Sequence, residues 1–156
     1  MKKFLKIVSV PLLLIFAAVI TSSKPNSMHS IEGTWELQSF YNYDGQNIID
    51  TVPLAEGYRQ VKMYYNGKVM WSRTTSTDTK DADGNNVVGR FGYGSYEITD
   101  TELIETIEYG DVGMMTALDT IRHFHFELVL GDHSFSQVSS DEDGNRTFSE
   151  NYKRID

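Results

Sequence analysis

The sequence predicts an all-β protein, an eight-stranded antiparallel up-and-down β-barrel. Three observations carry that expectation. β-branched and aromatic residues alternate with polar ones in eight short runs, which is how half-buried strands read. Turn residues separate most runs closely enough for hairpins, so consecutive strands pair antiparallel. No long segment repeats apolar residues at helical spacing. Eight strands closed on themselves remove both sheet edges and enclose room for core side chains or one small ligand. An open eight-stranded sandwich is the alternative.

The first residues stand outside that pattern. Met1-Lys2-Lys3 is basic, Ile7 to Ile20 is almost wholly apolar, and Thr21-Ser22-Ser23 supplies small residues. This reads as a secretory signal peptide over 1–23. The apolar run holds 14 residues and contains Pro11, short of the ~20 that span a bilayer, so an uncleaved anchor is the weaker alternative. No cysteine follows to take a lipid, because the chain has none. Residues 24–30 read as a polar tether, and 31–156 as the barrel domain. With no disulfide available, that domain relies on its core.

Charge narrows the partners. The chain carries 22 acidic and 14 basic residues, a net charge of −8. The leader holds three lysines and no acid, so the charge without it is −11. An acidic exported domain is a poor partner for nucleic acid or an anionic membrane. We expect no nucleic acid, and no stable membrane insertion once the leader is removed. The oligomeric state is left open.

The expected strands, in order, are Ile31–Tyr43, Tyr58–Tyr65, Lys68–Ser76, Val87–Ile98, Leu103–Tyr109, Thr120–Leu130, His133–Ser139 and Arg146–Ile155. Val52 to Gly57 has room for one short helical turn. Asn66-Gly67 predicts a type I′ turn, whose central residues both need positive φ. Gly131-Asp132 reads as a second tight turn with glycine in positive φ. Thr99–Glu102 makes a longer link, and Asp81 to Asn85 and Asp141 to Asn145 close two acidic hairpins.

Alternation then assigns faces, since residues i and i+2 share a side and opposed residues in a hairpin do too. Ile98 against Leu103 places Tyr96 opposite Glu105, Gly94 opposite Ile107 and Gly92 opposite Tyr109, with Arg90 on the same inner face. The two glycines either leave volume there or mark a bend. Around Gly131-Asp132, Leu128 is set against Phe135, Phe126 against Gln137 and Phe124 against Ser139. Gly33, Trp35 and Leu37 share one side of the first strand. Phe148, Glu150, Tyr152 and Arg154 share one side of the last. In the Asn66-Gly67 hairpin, Val61, Met63, Tyr65 and Met70 are taken as inner. Tyr58, Lys62, Tyr64, Val69 and Trp71 are taken as outer, with Lys62 beside Trp71 on the exterior.

The expected lumen is thus aromatic yet charged, with Arg90, Glu105, Glu150 and Arg154 inside. Either those charges neutralise one another, with Arg90 the partner of Glu105, or they meet the polar head of a ligand. Apolar walls with a few placed polar groups describe a small-molecule site.

Gly33-Thr34-Trp35 at the head of the first strand, with Arg154 in the last, resembles the signature of the lipocalins and their calycin relatives. So do Val61 to Gly67, the block Gly94 to Ile98 with Glu105, and Glu150 to Arg154. Together these residues look like the small lipocalin-like domains of unknown function in exported bacterial proteins, over about 31–155. The resemblance implies that Trp35 closes one end of the barrel under Arg154. It also implies that the lumen binds a small, mostly apolar molecule without catalysis. Two departures favour a minimal barrel. Lipocalins often carry a Thr-Asp-Tyr motif and a C-terminal helix, whereas Thr99-Asp100-Thr101 is not that motif and no such helix is expected after the last strand.

The expected function is therefore an exported, periplasmic or secreted barrel that carries a small hydrophobic or amphipathic ligand. The expected ligand-binding residues are Arg90 as polar anchor and Tyr96, Glu105, Tyr109, Phe124, Phe126 and Tyr152 as lining. Gly33, Trp35 and Arg154 are structural. The alternatives are a ligand-free interaction module and, further off, an enzyme using Glu105 and Glu150 as an acid–base pair. No thiol nucleophile, Gly-x-Ser-x-Gly elbow or phosphate loop is present. No metal or other cofactor is expected. His123-x-His125-x-Glu127 has zinc-like spacing but falls on the outer face. The acidic loops lack the full calcium pattern.

Overall fold

Nine strands and one short helix form in the computed structural model, which describes residues 30–74, 80 and 83–156. The strands are β1 (Gly33–Asp44), β2 (Asn47–Pro53), β3 (Arg59–Tyr65), β4 (Lys68–Thr74), β5 (Arg90–Ile98), β6 (Glu102–Gly110), β7 (His123–Leu130), β8 (Ser134–Ser140) and β9 (Arg146–Arg154). Helix α1 (Val112–Leu118) lies between β6 and β7. The leader and all of the tether but Ser30 lie outside the described residues, as does part of the Asp81 to Asn85 loop.

The sheet runs β2-β1-β3-β4-β5-β6-β7-β8-β9, and β1 also pairs with β9. That last pairing closes β1 and β3 to β9 into a ring of eight antiparallel strands. The ninth strand hangs from β1. Below its first bulge, between Leu37 and Ser39, β1 pairs with β3 from Gly33 to Glu36. Above it, the same edge pairs with β2 from Ser39 to Asp44. Strand β2 has adjacent isoleucines and ends in Pro53, so no alternation announces it. The helical turn expected over 52–57 is absent. Val52 and Pro53 finish β2, and Ala55 to Tyr58 is a turn with Gly57 at φ +75°.

One end of the ring is solid. Trp35, Leu37, Tyr64, Val69, Leu103, Leu128, Phe135 and Tyr152 are buried together there. Phe135 stacks on Tyr152 with ring centroids 4.6 Å apart and meets Trp35 edge-on at 4.9 Å. Such pairs contribute about 0.5–1.5 kcal/mol beyond their burial. The Arg154 guanidinium sits 4.2 Å from the Trp35 ring centroid and donates to the carbonyls of Glu32 and Ser30. Gly33 is required beneath it. Its φ is +136°, and a Cβ there would collide with Arg154 Nη1.

Asn66 and Gly67 take φ of 47° and 74°, as a type I′ turn demands. Other expectations need correction. In β3 and β4 the inner face is Lys62, Tyr64, Val69 and Trp71, while Met63, Tyr65 and Met70 are exposed on the outside. A bulge between Tyr93 and Gly94 shifts the β5–β6 register, so Gly92 opposes Gly110 and Tyr109 opposes Tyr93. Tyr109 is therefore an outer residue, 55% exposed and stacked on Tyr93. Around Gly131 the register differs by two: Leu130 opposes Phe135 and Leu128 opposes Gln137. A shift of two keeps every side chain on its face. Gly131 has no positive φ; its N–H closes the loop onto the Ser134 carbonyl at 2.8 Å.

Candidate functional site

Away from Trp35 the ring opens into a cavity of about 240 Å³. Its polar side is built on three strands. Lys62 Nζ lies 3.0 Å from Glu105 Oε1 and donates to Gln137 Oε1 at 2.6 Å. Tyr64 donates to the same Glu105 oxygen at 2.5 Å. Lys62 and Glu105 are only 3% and 4% exposed, so each needs the other: a buried charge left alone costs several kcal/mol. Burial, then the Glu105 charge, pushes the Tyr64 hydroxyl well above the ordinary tyrosine range. It is therefore a donor at any moderate pH.

A second polar group lies nearer the mouth. Gln60 Nε2 donates to Tyr152 Oη at 2.7 Å and to Glu150 Oε2 at 3.3 Å, and Tyr152 donates to Glu150 Oε2 at 2.5 Å. Tyr58 completes it by donating to Gln60 Oε1 at 3.0 Å. Burial, then the Glu150 charge, raises the Tyr152 hydroxyl too.

The apolar side comes from Trp71, Ile107 and Phe124 on the strands and from Met114 and Leu118 on α1. The helix is placed by its first turn. Asp111 caps it by accepting from the Met114 N–H at 2.9 Å, and also holds Arg90 Nη1 at 2.8 Å. Gly110 leaves room for the Met114 methyl. Gly92 makes room for the Trp71 indole, 2.6 Å from where a Cβ would stand, and Gly94 lies against the Thr106 backbone at the bulge. The space expected beside these glycines is thus taken by a ring and a neighbouring strand.

Of the residues singled out from the sequence, Glu105 and Phe124 line the cavity. Tyr152 lies beneath it and orients Gln60 and Glu150. Phe126 faces Lys62, whose Nζ is 6.0 Å from its ring centroid. Tyr96 packs edge-on against Tyr64 at the solid end. Arg90 is not the partner of Glu105. It pairs with Asp111 and lines a wider depression of about 760 Å³ beside Phe40, Leu54 and Tyr58. Glu105 and Glu150 do share the cavity, but Glu105 is held by Lys62.

Sequence reasoning missed Lys62 and Trp71 through the reversed hairpin face, and Met114 and Leu118 because α1 is too short for a periodic stripe. Gln60 and Arg73 carried no motif at all, and Gln137, though placed on the inner face with Phe126, was not singled out as a binding residue. The useful signal was register: Trp35 stands opposite Lys62 and Gly33 opposite Tyr64, so the inner face of β1 fixes that of β3.

The two other motifs are accounted for on the outside. His123 and His125 are exposed, and Glu127 is bound to Arg146. In the Asp141 loop the carboxylate accepts the N–H groups of Asp143 and Asn145. Those bonds, chiefly the ones from Asn145, hold it below the usual aspartate range.

No family model and no curated protein matches the sequence. Solved structures do resemble the fold. An uncharacterized protein from Bacteroides eggerthii aligns at TM-score 0.48 and 13% identity over 81% of this chain and all of its own. A lipocalin-like protein from Bacteroides uniformis aligns at TM-score 0.47 and 13% identity, over 80% of this chain and 97% of its own. Lobster apocrustacyanin A1 aligns at TM-score 0.40 and 16% identity, over 80% and 60% respectively. These likenesses are of chain path.

Proposed function

We propose that this protein binds a small amphipathic molecule in the open half of its ring and performs no chemistry on it. The observation that supports this reading is the cavity itself. Its volume of about 240 Å³ lies above a solid aromatic floor, with hydrogen-bonding groups on one side and Trp71, Ile107 and Phe124 on the other. Apolar walls with a few oriented polar groups suit recognition. The leader-like N-terminus and acidic charge support an exported protein, periplasmic or secreted.

The test is native mass spectrometry of the protein purified from its own host, with a denatured sample for comparison. The expected result is an added mass that unfolding releases and that a Phe124→Trp variant, whose larger ring blocks the cavity, fails to retain. A clean mass for the unmodified protein that stays clean after incubation with host extract overturns the reading. It would favour an interaction module, for which the exposed outer-face residues Met63, Tyr65 and Met70 beside Tyr93 are the natural surface.

A further inference from the structure

The cavity holds four charged side chains, and they are not equivalent. Lys62 and Glu105 neutralise each other at 3.0 Å. Arg73 and Glu150 also line the cavity, yet among the described residues neither enters an ion pair. Arg73 Nε is buried with no hydrogen-bond partner. Glu150 accepts both of its bonds on Oε2, from neutral groups, and none on Oε1 among the described residues.

Each charge is engaged by neutral neighbours. Gln60 stands directly across from Arg73 on the neighbouring strand and ties down Glu150 from the other side. Arg73 is drawn over the Tyr58 ring, 5.8 Å from its centroid. Both charges act on the Tyr58 hydroxyl: burial raises it most, the Arg73 bond and charge lower it, and Glu150 raises it again. A cation and an anion therefore flank one small cavity, Arg73 from its border with the wider depression beside Tyr58, and among the described residues Arg73 Nε and Glu150 Oε1 have hydrogen-bonding capacity unspent.

We infer that the cavity recognises a small zwitterion, with Glu150 receiving its cationic nitrogen, Arg73 its anionic group, and the wall of Trp71, Ile107 and Phe124 its apolar side chain. This rests on the lumen-binding reading above and narrows its ligand class. A neutral ligand leaves both charges unmet, and a ligand with one charge meets one residue while facing its opposite. Both residues are half-buried, and charge-assisted hydrogen bonds are the strong ones. The size agrees. At ~30 Å³ per water the cavity holds about eight waters, nearer to an amino acid than to the ~300 Å³ and more of drug-sized sites.

The experiment is calorimetric titration of the protein with four molecules of one shape: leucine, 4-methylpentanoate, 3-methylbutylamine and 4-methylpentan-1-ol. Leucine is expected to bind tightest, with about tenfold loss on deleting either charge, as suits a charge-assisted bond. Glu150→Gln should erase its advantage over 4-methylpentanoate, and Arg73→Gln its advantage over 3-methylbutylamine. Because the ligand series uses the unaltered protein, an unfolded variant does not spoil the test. Equal or tighter binding of a singly charged analogue, or no binding of leucine, overturns the inference. If the alcohol binds best and shifts Trp71 emission, the zwitterion is wrong and lumen binding stands. If none of the four binds, the zwitterion is wrong, and lumen binding is decided by the mass measurement.

Discussion

The two halves of the ring use aromatic side chains in opposite ways. Around Trp35 the rings of Phe135, Tyr152 and Tyr64 fill the interior and leave no room. Around Trp71 the rings stand back, and polar groups enter between them. The boundary is the Lys62–Glu105–Gln137 cluster, where Tyr64 from the solid half reaches up to donate. One strand set thus provides a close-packed floor and a receptive chamber, because volume is spent at one end and withheld at the other.

Truncation should expose the contrast most strongly. Trp35→Ala removes a fully buried ring and the seat of Arg154, and should cost about 3–5 kcal/mol in urea denaturation. Phe124→Ala, on a wall that already faces open space, should cost about 1–2 kcal/mol. Equal losses would mean that the halves do not differ in packing. The boundary cluster should respond nearly as much. Lys62→Met strands the Glu105 carboxylate and should cost about 3–5 kcal/mol, whereas Lys62→Met with Glu105→Leu should recover much of it. A double variant no better than the single would show that the pair has no mutual dependence. The mildest effect is alkaline. Tyr64 and Tyr152 have hydroxyl pKa values raised in the folded state, through burial first and then through Glu105 and Glu150 respectively. Their contribution is complete below the unfolded tyrosine value of about 10 and is lost as pH rises through the folded values. Stability should fall from about pH 10 upward, less steeply in Tyr64→Phe, and ultraviolet titration should show both phenols ionising only as the protein unfolds.

The solid half was more legible in the sequence than the receptive half. Gly33, Trp35 and Arg154 meet as the resemblance implied, because floor residues are specified by chemistry that few others can supply. Tight turns such as Asn66-Gly67 were legible for the same reason. The receptive half depended on phase, which local pattern fixes poorly. In β3 both faces carry large side chains, and Met63 and Tyr65 are more apolar than Gln60 and Lys62. Hydrophobicity therefore points the wrong way in a lumen whose polar groups are paired inside. Tyr109 was carried outward by one extra residue in β6, Glu108, opposite the Tyr93/Gly94 step, since a single bulge inverts everything beyond it. Alternation in the last strand already placed Glu150 inside, whereas Arg73 was separable from ordinary surface charge only once its neighbours were known.

The pairing of β1 with β9 also sets a timetable. Arg154 bonds to Glu32 across 122 positions of sequence, so one edge of the first strand, whose other edge pairs with β2 and β3, stays unpaired until the last has been synthesised. Contacts of such long range are slow to form, and chains that wait for them keep sticky strand edges exposed. Strand β9 also delivers Glu150 and Tyr152 to the chamber. Closure of the ring and completion of the site are thus a single event, and a nascent or clipped chain lacking its final strand would have neither.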